Sequence, residues 1–193
     1  MLSLKNSLAV LKKTDALLEG HFVLSSGLHS PQYVQCAKLL SKPTQAKKFI
    51  SSLATKIKRN IKSFDVILSP AMGGVIIGYE IGRLLRKETI FCERVDKKFK
   101  LRRGFYIKKK AKILIVEDVI TTGKSSLECV RLIKRFGGKF VGIACLIDRS
   151  KKLKMSKKII SQVKLDIPVY KRNKLPTSLK KIQITKPGSR YLR

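Results

Sequence analysis

The chain reads as an α/β domain with a central, mainly parallel sheet flanked by helices, and three observations carry that reading. Short, continuously apolar runs stand at Asp65-Val66-Ile67-Leu68-Ser69, Thr89-Ile90-Phe91-Cys92, Lys112-Ile113-Leu114-Ile115-Val116 and Phe140 to Ile147. A strand that is apolar on both faces belongs in a sheet covered on both sides. Segments of roughly a dozen residues with helical periodicity alternate with these runs, the pattern of βαβ units. Glycines mark the changes of pattern, at Gly73-Gly74, Gly123 and Gly137-Gly138, where tight turns and helix ends use them.

Taken in order, apolar residues at helical spacing (Leu8, Leu11, Ala16, Leu17) predict a helix from Ser7 to Glu19 that Gly20 stops. A short alternating stretch, His21 to Ser25, then runs into Ser26-Gly27. Thr44 to Arg59 reads as an amphipathic helix with Phe49, Ile50, Leu53 and Ile57 on its inner face. The strand at Asp65–Ser69 leads through a glycine-rich turn into a helix from about Val75 to Arg86. After the second strand, the third at Lys112–Val116 passes through a polar turn into a helix from about Lys124 to Phe136. The fourth strand follows Gly137-Gly138, and Val163 to Tyr170 adds an edge strand. In an open parallel sheet ligands bind beyond the carboxyl ends of the strands. The loops after Leu68, Val116 and Ile147 are therefore expected to line one cleft.

The bulk properties fit one domain over residues 1–193. Hydrophobic residues make up 44% of the chain, enough for a core and too many for a disordered polyelectrolyte. No apolar run approaches the ~20 residues that cross a bilayer, and no leader pattern opens the chain. A cytoplasmic protein with no membrane partner is expected. Cys36, Cys92, Cys129 and Cys145 are scattered, and His21 and His29 are the only histidines; buried free thiols are expected rather than a zinc site or disulfides. The net charge of +32 invites a nucleic-acid reading. Lysine outnumbers arginine 32 to 12, however, much of it in runs such as Lys108-Lys109-Lys110 and Lys151-Lys152. Surfaces that grip phosphates or read bases favour the planar fork of arginine. The charge is read as a solvated surface, with no nucleic-acid partner.

The chemistry concentrates in Val116-Glu117-Asp118-Val119-Ile120-Thr121-Thr122-Gly123-Lys124-Ser125. Adjacent carboxylates at the end of a buried strand can accept hydrogen bonds from vicinal sugar hydroxyls or help place a magnesium ion. The hydroxyls, glycine and backbone amides that follow, at a helix N-terminus, form a phosphate cradle. A ribose bearing a 5-phosphate satisfies both. Gly123-Lys124-Ser125 looks like the tail of a nucleoside-triphosphate P-loop, but that motif needs a glycine where this chain has Asp118. An ordinary strand–turn–helix with an acidic turn is the plain alternative.

Those ten residues resemble the phosphoribosyl-pyrophosphate signature of type I phosphoribosyltransferases. The segment from Ala16 to Tyr33 resembles the N-terminal segment of the orotate-specific enzymes, Ser69-Pro70-Ala71-Met72-Gly73-Gly74 their pyrophosphate loop, and Asp148-Arg149 the site of their carboxylate-binding arginine. Lys186-Pro187-Gly188-Ser189-Arg190 resembles the ending of one bacterial and archaeal branch. The resemblance implies a type I phosphoribosyltransferase fold, with a core of about 40–150 and a small hood from about 1–39 and the C-terminal tail. It implies transfer of ribose 5-phosphate from 5-phosphoribosyl 1-diphosphate to orotate, in pyrimidine biosynthesis, with Mg²⁺. Glu117 to Ser125 would bind the phosphoribosyl group, with Asp118 catalytic. Gly73, Gly74, Arg94 and Lys97 would bind diphosphate, with Lys97 the catalytic lysine of a mobile loop that crosses a homodimer interface. Thr121 and Arg149 would bind orotate, since guanidinium takes carboxylate bidentately. No direct protein ligation of a metal is expected. The chain departs from the family pattern in three places: it has no histidine in the loop from Cys92 to Gly104, Met72-Gly73 in place of an aromatic residue and lysine, and Ser25 in place of a lysine. Lys97, Lys98 and Lys100 all remain candidates for the loop lysine. A purine-base phosphoribosyltransferase, or a regulator of this fold that binds nucleic acid, are the competing readings.

Overall fold

The structure, a computed structural model, describes residues 1–24, 26–150 and 159–186. In chain order the elements are α1 (Leu4–Lys13), β1 (Leu17–Val23), β2 (His29–Val34), α2 (Cys36–Leu40), α3 (Pro43–Asn60), β3 (Val66–Pro70), α4 (Gly73–Leu85), β4 (Glu88–Val95), β5 (Lys98–Leu101), β6 (Lys112–Ile120), α5 (Lys124–Arg135), β7 (Lys139–Asp148), β8 (Ile159–Lys164), a 3₁₀ turn (Arg172–Lys174), α6 (Thr177–Lys180) and β9 (Ile184–Thr185).

Six strands form the central sheet in the order β5-β4-β3-β6-β7-β8. All neighbours are parallel except β4 and β5, which form an antiparallel hairpin at the edge. Each face has its own core. Leu114, Val116, Ala144 and Leu146 pack with α3 and α4 residues such as Phe49, Leu53, Ile77 and Ile81. Ile113, Ile115, Ile143 and Cys145 pack with Cys129, Leu132 and Ile133 of α5. The period-two alternation of β6 and β7 thus feeds two apolar layers, as continuous apolar strands require.

α4 lies very close to the sheet because Gly74, Gly78 and Gly82 form its inner edge; a Cβ on Gly78 would stand 2.0 Å from Ser69 Oγ. Its outer side instead carries Met72, Ile76 and Tyr79, exposed by 86%, 58% and 67%.

The hood is a three-stranded sheet, β2-β1-β9, in which β1 pairs antiparallel with β2 and parallel with β9. Two buried histidines tie it together. His21 Nε2 lies 2.6 Å from His29 Nδ1, and His21 Nδ1 lies 3.2 Å from the Ile182 carbonyl oxygen.

The α/β class, the α3 helix and the four central strands agree with the sequence reading, and several boundaries do not. The first helix ends at Lys13, not Glu19. Thr14 Oγ1 donates to the Val10 carbonyl, and Asp15 turns left-handed with φ 56°. Leu17 and Leu18 then pair with Val34 and Tyr33 in β1; their apolar spacing suited a helix, and the ladder partner decided otherwise. β6 runs on through Ile120, so both acids lie inside the strand and not in a polar turn. β4 extends to Val95 and turns into a hairpin where a loop was expected. The edge strand is Ile159–Lys164, four residues before the expected start at Val163. Beyond it, Tyr170 makes only an isolated bridge to His29. All four cysteines are free and buried. Ser25, Lys151-Lys152 and positions 187–190 lie outside the described residues.

Candidate active site

The carboxyl ends of β3, β6 and β7 meet at one edge of the sheet. Parallel pairing carries Ile120 opposite Asp148, and the Arg149 amide donates to the Ile120 carbonyl at 2.8 Å. β3 ends beside them at Pro70, followed by a turn with a cis peptide bond between Ala71 and Met72. The turn is held by the Ala71 amide, which donates to the Cys92 carbonyl at 2.9 Å.

Because β6 continues past Val116, its alternation sends Glu117 and Asp118 to opposite faces of the sheet. Glu117 faces α5. It is only 6% exposed, and the Ser126 hydroxyl, fully buried, donates to its Oε1. Burial pushes the Glu117 carboxyl up to about 7, opposed by the Ser126 hydrogen bond and assisted by the Asp118 charge. Asp118 faces α4 and α2. Burial raises its carboxyl too, and the Val119 amide, donating to Oδ1 at 2.8 Å, pulls the other way. A Cβ on Gly73 would stand 2.6 Å from Asp118 Oδ2; only glycine lets the start of α4 approach this carboxylate. From below, the Cys36 thiol donates to the Asp118 carbonyl at 3.6 Å. Cys129 and Cys92 lie behind Glu117 with their sulfurs 3.6 Å apart, and each thiol's neighbour and its burial hold the Cys129 thiol far up.

Beyond Ile120, Thr121 and Thr122 are exposed, and Gly123 takes the left-handed conformation, φ 70°, that begins α5. Gly123, at the N-cap, has no side chain to cap this helix start. The amides of Lys124 and Ser125 therefore open a helix whose dipole and N–H groups suit an anion. The Lys124 amide has one contact there, a long 3.4 Å bond to Thr122 Oγ1.

Arg149 is half-buried, and its Nε is buried with no hydrogen-bond partner. Pairing with Asp148 is not its role in this structure. Asp148 Oδ1 instead accepts from the Ser150 amide at 2.8 Å and its hydroxyl at 2.6 Å. Burial lowers the Arg149 guanidinium from its ordinary value, with Tyr33 of β2 and Cys36 of α2 as its electrostatic neighbours. An acid-binding group desolvated in this way gains most from an anionic ligand.

The remaining expected residues sit apart. Arg94 Nη1 lies 2.8 Å from Glu128 Oε2 and donates to the Lys97 carbonyl at 2.7 Å, with its guanidinium 4.1 Å from the centre of the Phe99 ring. Lys97 is exposed at the tip of the β4–β5 hairpin, where it and Asp96 both have positive φ, 63° and 50°, the geometry of a two-residue turn. Sequence reasoning brought Glu117, Asp118, Gly73, Gly74, Thr121 to Ser125 and Arg149 to one edge, and it missed Ser126, Cys36 and Tyr33. Ser126 lies one residue past the motif, and its role shows only once α5 is packed on β6.

A strand bearing two acids, a helix start at Gly123 and a glycine-opened turn meet at this edge of the sheet. The profile of the phosphoribosyl transferase domain matches residues 36–179, and the chain belongs to that family. Within it, the chain belongs with the orotate phosphoribosyltransferases. It is 46% identical over 185 residues to the orotate phosphoribosyltransferase of Erythrobacter litoralis, covering 95% of this chain and 96% of that protein. It is 45% identical to the orotate phosphoribosyltransferase of Parvibaculum lavamentivorans, with 94% of each chain covered. The crystal structure of orotate phosphoribosyltransferase from Aeropyrum pernix shares the fold, with TM-score 0.73 at 24% identity over 81% of this chain and 92% of that one.

Proposed function

We propose that this chain transfers ribose 5-phosphate from 5-phosphoribosyl 1-diphosphate to orotate, giving orotidine 5-monophosphate and diphosphate in pyrimidine biosynthesis. A ring nitrogen of orotate, once its N–H proton has passed to solvent and left it anionic, attacks the anomeric carbon. The bond from that carbon to the diphosphate oxygen breaks, and its electron pair leaves with the diphosphate. Catalysis here is positioning plus electrostatics, because orotate brings its own charge and needs no strong base.

In this reading Glu117 and Asp118 take the ribose hydroxyls, and Asp118 eases positive charge developing on the sugar. Val119 to Ser125 wrap the 5-phosphate, with the α5 amides as donors. The amides of Gly73 and Gly74 receive the diphosphate, and Lys97 neutralises it as it leaves. Arg94 is committed to Glu128 and Phe99, so its part in binding diphosphate requires it to leave that contact. Thr121 and Arg149 hold orotate. The observation that carries the choice of base is the buried, unpartnered Arg149 Nε, which a carboxylate meets with opposite charge where a neutral purine offers only an uncharged acceptor.

Magnesium is a hard cation that prefers phosphate oxygens and water. The residues fit an ion carried by the substrate's own phosphate oxygens, with Glu117 and Asp118 left to the ribose. Among the described residues, no group of three or more His, Cys, Asp or Glu side chains is placed to hold a metal. When bound, the ion supplies positive charge to the diphosphate. The apolar outer side of α4, with Met72, Ile76 and Tyr79 beside the diphosphate turn, supports a homodimer with shared sites, because a second copy would cover it. Among the described residues no helix is long and apolar enough to cross a membrane, and a cytoplasmic location suits the proposed pathway.

The test is the fall in orotate absorbance with phosphoribosyl diphosphate and Mg²⁺, run beside adenine, guanine, hypoxanthine and uracil. Orotate is expected to be the preferred base. Arg149→Ala is expected to lower kcat/KM for orotate by about 10-fold or more, the loss of a charge-assisted bidentate pair, with little change in phosphoribosyl diphosphate binding by calorimetry. Equal loss of both ligands would remove Arg149 from the base site.

A further inference from the structure

We infer that Ser126 is a positioning residue for the reaction: its buried hydroxyl holds Glu117 through Oε1 and leaves the other carboxylate oxygen to meet a ribose hydroxyl. The inference rests on the reading of Glu117 as a ribose-binding group and adds a residue that lies outside the phosphate-binding motif.

The geometry favours this role over simple packing. Ser126 stands in the first turn of α5 and is fully buried. A serine in the first turn of a helix can point to solvent or bond the backbone beside it. This one crosses to β6 and donates to Glu117 instead. The link therefore joins the helix that holds the phosphate to the strand that holds the sugar, and fixes their relative placement through one hydrogen bond.

The electrostatics point the same way. Among the described residues, the ionisable groups around Glu117 are Asp118 on its own strand, Cys129 of α5 with Cys92 of β4 behind it, and Cys145 of β7. None is a cation. A buried carboxylate in such company tends to keep its proton, and a hydroxyl donating to it is what favours the charged form. Burial already brings Glu117 to about 7. Without the hydroxyl it would hold its proton to higher pH and swing away from the ligand. A carboxylate accepts from two sugar hydroxyls more readily than a neutral acid, so Ser126 both aims Glu117 and raises the share of it that is charged at neutral pH.

The experiment measures kcat/KM for phosphoribosyl diphosphate from pH 5.5 to 9 at saturating orotate, with folding checked by circular dichroism. It compares the full-length protein with Ser126→Ala, Ser126→Thr and Glu117→Gln. Ser126→Ala is expected to move the acid-side midpoint up by about one pH unit and to lower the value at pH 7 by about 5-fold, with recovery toward pH 9. Ser126→Thr keeps a hydroxyl and is expected to keep the wild-type midpoint. Glu117→Gln is expected to lose that limb. If Ser126→Ala proves unstable, Ser126→Cys, a much weaker donor of similar size, gives the same readout. An unmoved midpoint in Ser126→Ala or Ser126→Cys, with the limb abolished in Glu117→Gln, would overturn the role of Ser126 and leave the ribose reading standing. Equal, pH-independent losses in Ser126→Ala and Ser126→Thr would reduce Ser126 to packing. A Glu117→Gln protein with wild-type rates and an intact limb would instead bring down the ribose reading itself.

Discussion

Glu117 and Asp118 are neighbours in the chain and differ in almost every physical respect. Glu117 turns toward α5, is held by a serine hydroxyl and titrates near neutrality. Asp118 turns toward α4, takes the amide of the next residue and sits against a glycine that admits it. One peptide bond thus separates two carboxylates with separate helices as their second walls. The difference teaches that an acidic pair inside a strand is not one site doubled. The period of two splits it into two groups with separate surroundings, one against α5 and one against α4.

Three substitutions probe that split. Asp118→Asn should have the largest effect, lowering kcat by roughly 1,000-fold by removing charge where the sugar becomes positive, with the fold intact by circular dichroism. Mixing it with Lys97→Ala should restore part of the activity as subunits exchange, if the hairpin lysine serves the neighbouring site. No recovery after verified exchange would put the lysine in its own subunit's site or out of the chemistry.

Glu117→Gln should act on stability as well as on turnover. The folded carboxyl, at about 7, lies above its ordinary value of 4.5. Its contribution to stability is therefore full below pH 4.5 and is lost as pH rises through about 7, where the buried group must ionise. Removing that charge should stabilise the protein at pH 8.5 by about 3 kcal/mol and very little at pH 4.5. Urea unfolding at the two pH values measures this directly, and an equal gain at both would mean the charge is not what the glutamine relieves.

Gly73→Ala should have the smallest effect and the most local. The new methyl would crowd the Asp118 carboxyl, so kcat/KM for phosphoribosyl diphosphate should fall by about 10-fold through misplacement. The acid-side limb set by Glu117 should stay where it is. A shifted limb would mean the two faces of β6 are coupled after all.

How far the sequence could be read depended on where each signal is stored. The ribose-phosphate motif was legible because its parts are consecutive: acids, hydroxyls, a glycine and a helix start within ten residues. Arg149 was legible because it directly follows an apolar strand. The contact of Gly73 with Asp118 spans 45 positions, and no local pattern marks it. Arg94 and Lys97 illustrate the opposite failure. The basic segment from Cys92 to Gly104 resembles a mobile loop, yet Phe99 and Leu101 alternate with lysines and pair back onto Arg94 and Cys92 as a hairpin. Arg94 is then drawn to Glu128 and the Phe99 ring.

By itself, the sequence determined the apolar runs that must be buried on both faces, the helices that cover them and the acids, hydroxyls and glycine gathered at the edge proposed to bind phosphate. These are properties of short segments, carried by composition, period and turn residues. Only the tertiary structure decided that α1 stops at Lys13, that β6 continues to Ile120 and that Ser126 reaches Glu117. The physical reason is the same in each case. A backbone segment of mixed propensity takes the form in which its amides and carbonyls find partners, and those partners, Val34 and Tyr33 for β1 and Val119–Ile147 and Ile120–Asp148 pairing for β6, come from distant parts of the chain.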